Sequence, residues 1–463
     1  MSEQGQPRKT LSFFQLAMIN IIAVDSLRSL PISAEYGLAL VFFYLVAAVF
    51  FFLPSILITA ELATAYPTTG GIYIWVREAF GSKMGFLVIW FQWIYNVVWY
   101  PTAMAFIAAS IAYLINPALV DDKLYLLVTT ISLFWLITLL NCFGMRISSL
   151  FSTLGALFGT LIPMMLIITL GIVWLCLGKP IQTALSWYAF FPHIAELKNL
   201  AFLSAVIFSL IGMEMSAVHA GDVKNPKSAY PKALWVSGGI IFFSLVLASV
   251  AVAIVIPRSK LNLVTGLLQA FTVFFGAYHL KWLIPVIVLL IVVGSLSGVA
   301  AWIIGPSKGL AVAAEDGGLP KLFQFRNKQG TPIPMLILQG IIFTALCTVF
   351  LFIPTISGSY WLLSAMTAQL GLLVYVILFA TALKLHYGKP HVKRSFRVPG
   401  GRAGMLLVTF VGIIGCLLAM AVGFLPPSQI QIGNMFKYES ILISSIVLFS
   451  ILPFLLYRRA GSQ

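Results

Sequence analysis

Apolar residues run through this chain in long blocks separated by short polar stretches, and twelve blocks are long enough to cross a bilayer. They cover about 11–36, 38–66, 84–114, 124–144, 149–178, 199–221, 231–256, 282–312, 333–354, 359–384, 403–425 and 438–457. Lipid offers no partners to backbone N–H and C=O groups, so blocks of this length are predicted to be helices.

Two of the blocks are interrupted by charge at corresponding places, in IIAVDSLRSLPISAEYG (21–37) and in IFSLIGMEMSAVHAGDVKNP (207–226). A charge at mid-bilayer costs at least about 2.5 kcal/mol, so Asp25, Arg28 and Glu214 need partners, water or a substrate. Paired interruptions five helices apart are the mark of an inverted-repeat transporter whose discontinuous helices meet at the midplane. Helices one to five (about 11–178) and six to ten (about 199–384) are expected to form the repeats, with two further helices over about 403–457.

In the first break Pro31 removes a backbone donor, while Ser26 and Ser29 can bond the backbone groups it frees. The sixth helix is expected to loosen around Gly212 and Met213. Unwound helices of this kind expose amide ends that favour a carboxylate and carbonyls that favour an ammonium, a combination suited to an amino acid.

Composition supports one membrane domain over residues 1–463: the chain is 60% hydrophobic and 9% charged, with mean hydropathy +1.02. The first apolar run follows MSEQGQPRKT without a small-residue cleavage site and is expected to remain as a helix. The net charge of +15 is read by position rather than as a nucleic-acid footprint. With the N-terminus inside, 20 of the 28 Lys and Arg fall on the inner side and seven outside, with Arg28 in the membrane. Both termini are therefore expected in the cytoplasm. The basic run from Lys384 to Arg402 reads either as an anionic-lipid site or as an ordinary inner loop.

Cys142, Cys176, Cys347 and Cys416 lack CxxC spacing, and the five His show no metal-ligand pattern, so neither disulfides nor a metal or other cofactor is expected. No nucleophile or phosphate-loop pattern suggests an enzyme.

Among the candidates, Glu214 could bind a substrate amine or carry a proton. Asp25 and Arg28, three residues apart, either neutralise each other or face a substrate that bears both charges. Trp302 in the eighth helix, and Tyr95, Trp99 and Tyr100 in the third, could close over a substrate or simply pack. Glu61, near the inner end of the second helix, is read as a snorkelling interfacial residue; with Arg77 and Glu78 it is also a candidate for a gate-closing ion pair. His219 could sense pH or merely pack.

The stretches ELATAYPTTGGIYIWV, MEMSAVHAGDVKNPKSAYP, LNLVTGLLQAFTVF, AAWIIGPSKGLAVAAEDGGLP, FRVPGG and FLPP span nearly the whole chain. Together they resemble the bacterial glutamate:GABA antiporter branch of the amino acid, polyamine and organocation transporters. The resemblance implies an all-α, twelve-helix, LeuT-like five-plus-five inverted repeat that exchanges amino acids across the bacterial inner membrane. It also implies that Glu214 and Trp302 lie on the transport path. AVDSLRSLPISAEYG departs from the aromatic-rich first break of the acid-resistance antiporter, which puts the substrate in doubt. The long C-terminal plug of those antiporters has no counterpart before Gln463, so transport is expected to persist near neutral pH. A proton-coupled amino-acid symporter, a substrate-sensing receptor without turnover and a channel are the competing readings; the exchanged pair and the oligomeric state are left open.

Overall fold

Ser12 opens the first helix, α1 (Phe13–Val24), with a capping box: Gln15 N–H donates to its hydroxyl at 3.3 Å, and its own N–H donates to Gln15 Oε1 at 2.9 Å. The helix stops at Asp25 because Asp25 and Ser26 are extended, with ψ of 96° and 116°. It resumes as a 3-10 turn, Leu27–Ser29, followed by α2 (Leu30–Ala34). Pro31, which the sequence puts in the break, sits in the first turn of α2, where its missing N–H leaves no helical bond unmade. Those bounds come from a computed structural model that describes residues 11–68, 70–142, 155, 157–192, 200–425 and 434–457, except the side chains of Phe202 and residues 219–222.

Along the chain follow α3 (Ala39–Ala65), α4 (Ile72–Phe80), α5 (Ser82–Ile115), α6 (Lys123–Cys142) and α7 (Leu157–Cys176). Next come α8 (Ala201–Phe208), α9 (Pro226–Val255), α10 (Gly266–Ala277) and α11 (Ile284–Glu315). The last four are α12 (Ile333–Phe352), α13 (Ile356–Gly388), α14 (Gly401–Gly423) and α15 (Met435–Leu456). Among the described residues, eleven stretches are long and apolar enough to cross a membrane, counting α1 with α2 as one. The sixth of the twelve expected spans escapes that count because it is broken: α8 ends at Phe208, and only a 3-10 helix, Met215–Asp222, continues it. The chain is an all-helical, multi-pass membrane protein with discontinuous first and sixth spans.

Gly212 makes the second break possible, because its φ of +125° is strained for any residue with a Cβ. A Cβ there would stand 3.1 Å from Val24 Cγ2 and 3.4 Å from the Ala23 carbonyl. The two breaks therefore touch. Gly159 and Gly294 bring α7 and α11 together, since a Cβ on Gly294 would lie 2.4 Å from Gly159 Cα.

Two expected loops contain helices. The 257–281 stretch includes α10, which is too short to cross and packs on α2; a Cβ on Gly266 would lie 2.9 Å from Pro31 Cβ. The stretch after α3 includes α4, entered through Gly70 and Gly71 at φ +121° and +51°. Leu11 pairs with Val223, Gly71 lies against Val218, and Phe86 meets Tyr457 at 5.4 Å, so both described chain ends share one face, here the terminal face.

Candidate functional site

A cavity of about 60 Å³ lies beside the first break, large enough for several waters. Asp25, Ser26 and Arg28 from the first break line it, with Trp99 of α5, Thr160 of α7 and Trp302 of α11. Gly294 and Gly298 of α11 also line it, and a Cβ on Gly298 would meet nothing within 4 Å.

Asp25 and Arg28 do not pair with each other. The Ser244 hydroxyl of α9 donates to Asp25 Oδ2 at 2.9 Å, and Oδ1 has no partner. Arg28 turns the other way: Nη1 donates to Thr102 Oγ1 at 3.0 Å and to the Tyr360 hydroxyl at 3.5 Å. The rings of Trp99, Phe208 and Tyr360 surround the guanidinium at 5.7, 5.8 and 5.7 Å, close enough for cation–π attraction. Ser29 stays local, its hydroxyl donating to the Ser26 carbonyl at 2.7 Å.

Trp302 closes one wall. Its ring lies 6.1 Å from Trp99 and 6.4 Å from Tyr95, and its carbonyl accepts from the Tyr100 hydroxyl at 3.0 Å. Gly212 is close behind, since a Cβ there would meet Trp302 Cζ2 at 3.5 Å. Met213 is fully buried and off the cavity wall.

Glu214 is also off the wall, in a cluster toward the terminal face. It accepts from Gln92 Nε2 at 3.3 Å and from the Tyr375 hydroxyl, which itself accepts the Gly212 N–H at 2.9 Å. Tyr375 thus ties a charge and the unwound backbone to α13. The His219 side chain lies outside the described residues.

Thr102, Tyr360, Gln92, Tyr375 and Ser244 all escape the sequence reading, being uncharged residues in ordinary apolar helices. The Gln92 and Asn96 spacing, one helical turn apart in an apolar run, is the one signal that could have drawn attention to that stretch of α5.

A profile of the amino acid permease family matches residues 11–448. The chain belongs to the amino acid permease family. It is 53% identical over 458 residues to an uncharacterized transporter of Legionella pneumophila subsp. pneumophila, covering 98% of each chain. It is 32% identical to a glutamate/gamma-aminobutyrate antiporter of Lactococcus lactis subsp. lactis, covering 97% of this chain and 90% of that one. A probable agmatine/putrescine antiporter of the same organism is 27% identical over 86% of this chain and 84% of its own.

The permease carries a separate charge cluster at its terminal face, and there Glu61 corrects the snorkelling expectation. It is buried, accepting from His386 Nδ1 at 2.7 Å, Arg394 Nε at 3.0 Å and the Val398 N–H at 2.8 Å. Arg394 in turn donates to the Leu385 carbonyl at 2.8 Å, so the loop between α13 and α14 is pinned to the end of α3. Three donors repay the desolvation that a lone carboxylate would not survive. Arg77 and Glu78 pair with Asp316 at 2.8 Å and Lys389 at 2.6 Å, holding α4 to α11 and to the end of α13. Burial, with a hydrogen bond to Asp316, holds the Tyr73 phenol above its usual range.

Proposed function

We propose that this permease is an amino-acid antiporter of the glutamate:GABA exchanger type, working by alternating access. The observation that carries this reading is the contact between two broken helices beside a cavity lined by Arg28 and by Asp25, one of whose buried carboxylate oxygens has no hydrogen-bond partner. Full-length similarity to a glutamate/gamma-aminobutyrate antiporter supports it.

In this reading the substrate occupies the cavity, with its α-carboxylate on the amides freed at Ser26 and its amine toward Asp25 Oδ1. Trp302, with Trp99 and Tyr95, gates the cavity. Glu214 links the sixth span to α5 and α13 on the terminal side and serves as the coupling residue. Residues of about 11–178 and 199–384 form the two repeats that move against each other. The excess of Lys and Arg on the terminal face favours its lying in the cytoplasm, with the chain in a bacterial inner membrane.

Counterflow in proteoliposomes tests this. Labelled glutamate or gamma-aminobutyrate should enter vesicles preloaded with either amino acid and enter empty vesicles far more slowly. Uptake that ignores the internal amino acid and follows a pH gradient would instead identify a symporter.

A further inference from the structure

Arg28 lines the cavity and is only 6% exposed, yet among the described residues no carboxylate stands within ion-pair distance of it. Asp25, three residues away, is engaged with Ser244. A guanidinium does not shed its proton at any physiological pH, so this site cannot escape its charge as a buried lysine would. Aromatic rings offset part of the cost, but they leave the charge without a counter-ion.

The hydrogen bonds are also one-sided. Its hydrogen-bond partners Thr102 and Tyr360 both engage Nη1, and among the described residues Nε has none. Anchoring one end of the fork fixes the plane of the guanidinium and leaves the buried edge containing Nε without a hydrogen-bond partner. That edge matches the two oxygens of a carboxylate. Thr102 itself is held, its hydroxyl donating to the Trp99 carbonyl at 2.8 Å, so its oxygen lone pairs are turned to the arginine.

We propose that Arg28, oriented by Thr102 and Tyr360, is a subsite for a side-chain carboxylate, so that the cavity prefers glutamate to its uncharged amide and rejects diamines. This rests on the transport reading, in which the α-carboxylate is taken by the amides of the break and the guanidinium remains for the side chain. Thr102 and Tyr360 are positioning residues in this arrangement. An incoming diamine would put like charge against Arg28 with no carboxylate to compensate it.

The test is equilibrium binding to the purified full-length protein in lipid nanodiscs, read by tryptophan fluorescence, since Trp99 stacks near Arg28. The probes are L-glutamate, L-glutamine and putrescine; the first two are nearly isosteric and differ in side-chain charge. Wild type should bind glutamate about tenfold or more tightly than glutamine, the size of one charge-assisted hydrogen bond, and should not bind putrescine. Arg28→Gln should bring the two amino acids to near-equal affinity by weakening glutamate while sparing glutamine. Arg28→Lys, which keeps the charge and loses the fork, should fall between, and so should Tyr360→Phe and Thr102→Val.

Failure of wild type to bind glutamate, equal wild-type affinities, a preference that survives Arg28→Gln, or parallel loss of both ligands would each overturn the proposal. If Arg28→Gln does not fold, the lysine, valine and phenylalanine variants carry the same comparison. Binding needs no turnover, so the two readings separate. Glutamate preference without counterflow would sink the exchanger, whereas counterflow without the preference would sink the subsite.

Discussion

Arg28 and Glu214, each just past the break of its own helix, reach for the same two neighbours. Arg28 donates to Thr102 of α5 and Tyr360 of α13; Glu214 accepts from Gln92 of α5 and Tyr375 of α13. Ten residues of α5 separate the two contacts, about 15 Å along a helix, and α5 walls the cavity at the Arg28 end, through Trp99, Ala103 and Phe106. A cation fastens the first break and an anion the second, both to the same pair of helices.

Tyr375→Phe tests the anionic fastening. It removes one donor from buried Glu214 and the acceptor of the Gly212 N–H, which should cost about 1–3 kcal/mol for each group left unsatisfied. Thermal unfolding of the variant in detergent should show a clear drop in melting temperature. An unchanged midpoint would mean that water replaces the hydroxyl and that Tyr375 is not a tie.

Gly212→Ala probes the contact between the breaks. The substitution forces a φ of +125° on a residue with a Cβ and pushes that carbon to 3.1 Å from Val24, so a loss of about 1–3 kcal/mol is expected from backbone strain. The same change at Gly239, where a Cβ would meet nothing within 4 Å, should be tolerated. Equal melting temperatures for the two variants would argue against a tight crossing at Gly212.

Glu61 and Glu78 separate buried from exposed ion pairs at the terminal face. Glu61→Gln strips the counter-charge from Arg394, whose side chain is 4% exposed, and should cost about 3–5 kcal/mol. Glu78→Gln breaks a pair with Lys389 that is more than a third exposed at Glu78, and should cost about 1 kcal/mol or less. Comparable losses at the two positions, measured by thermal unfolding, would show that the Glu61 cluster holds no structure.

Glu35, just beyond the last helical residue of α2, supplies a pH dependence. Burial pushes its carboxyl up to about 7, with Arg258, 3.6 Å away, partly opposing the shift. The folded protein therefore holds a proton that the unfolded chain releases at an ordinary carboxylate value of 4.5. The contribution is complete below that value and is lost as pH rises through about 7. Melting temperatures taken from pH 5 to pH 8 should carry this downward component, and Glu35→Gln should remove it. A wild-type and a variant profile of identical shape would contradict it.

Hydropathy alone is enough for the number and order of the spans, because lipid demands long apolar helices and punishes exceptions. It is also enough for the two breaks, since Asp25, Arg28 and Glu214 stand out in apolar runs. Periodicity is weaker where a segment is short: α10 reads as loop because its twelve residues fall below spanning length, and only its seat on Pro31 explains it. Glu61 looked interfacial because its position along α3 is visible in sequence, while the Arg394, His386 and Val398 donors that bury it come from more than 300 residues away.

The sequence by itself determined a polytopic membrane chain, where its helices unwind, and which charges sit at those points, all of them local properties of residue type and spacing. The tertiary structure decided whom those charges meet. Asp25 finds Ser244, 219 residues on, and Arg28 finds Thr102 and Tyr360, 74 and 332 residues on, rather than each other. The reason is geometric: an unwound segment points its side chains by backbone angles that no helical period encodes, and the partners are set by how distant helices rotate and cross.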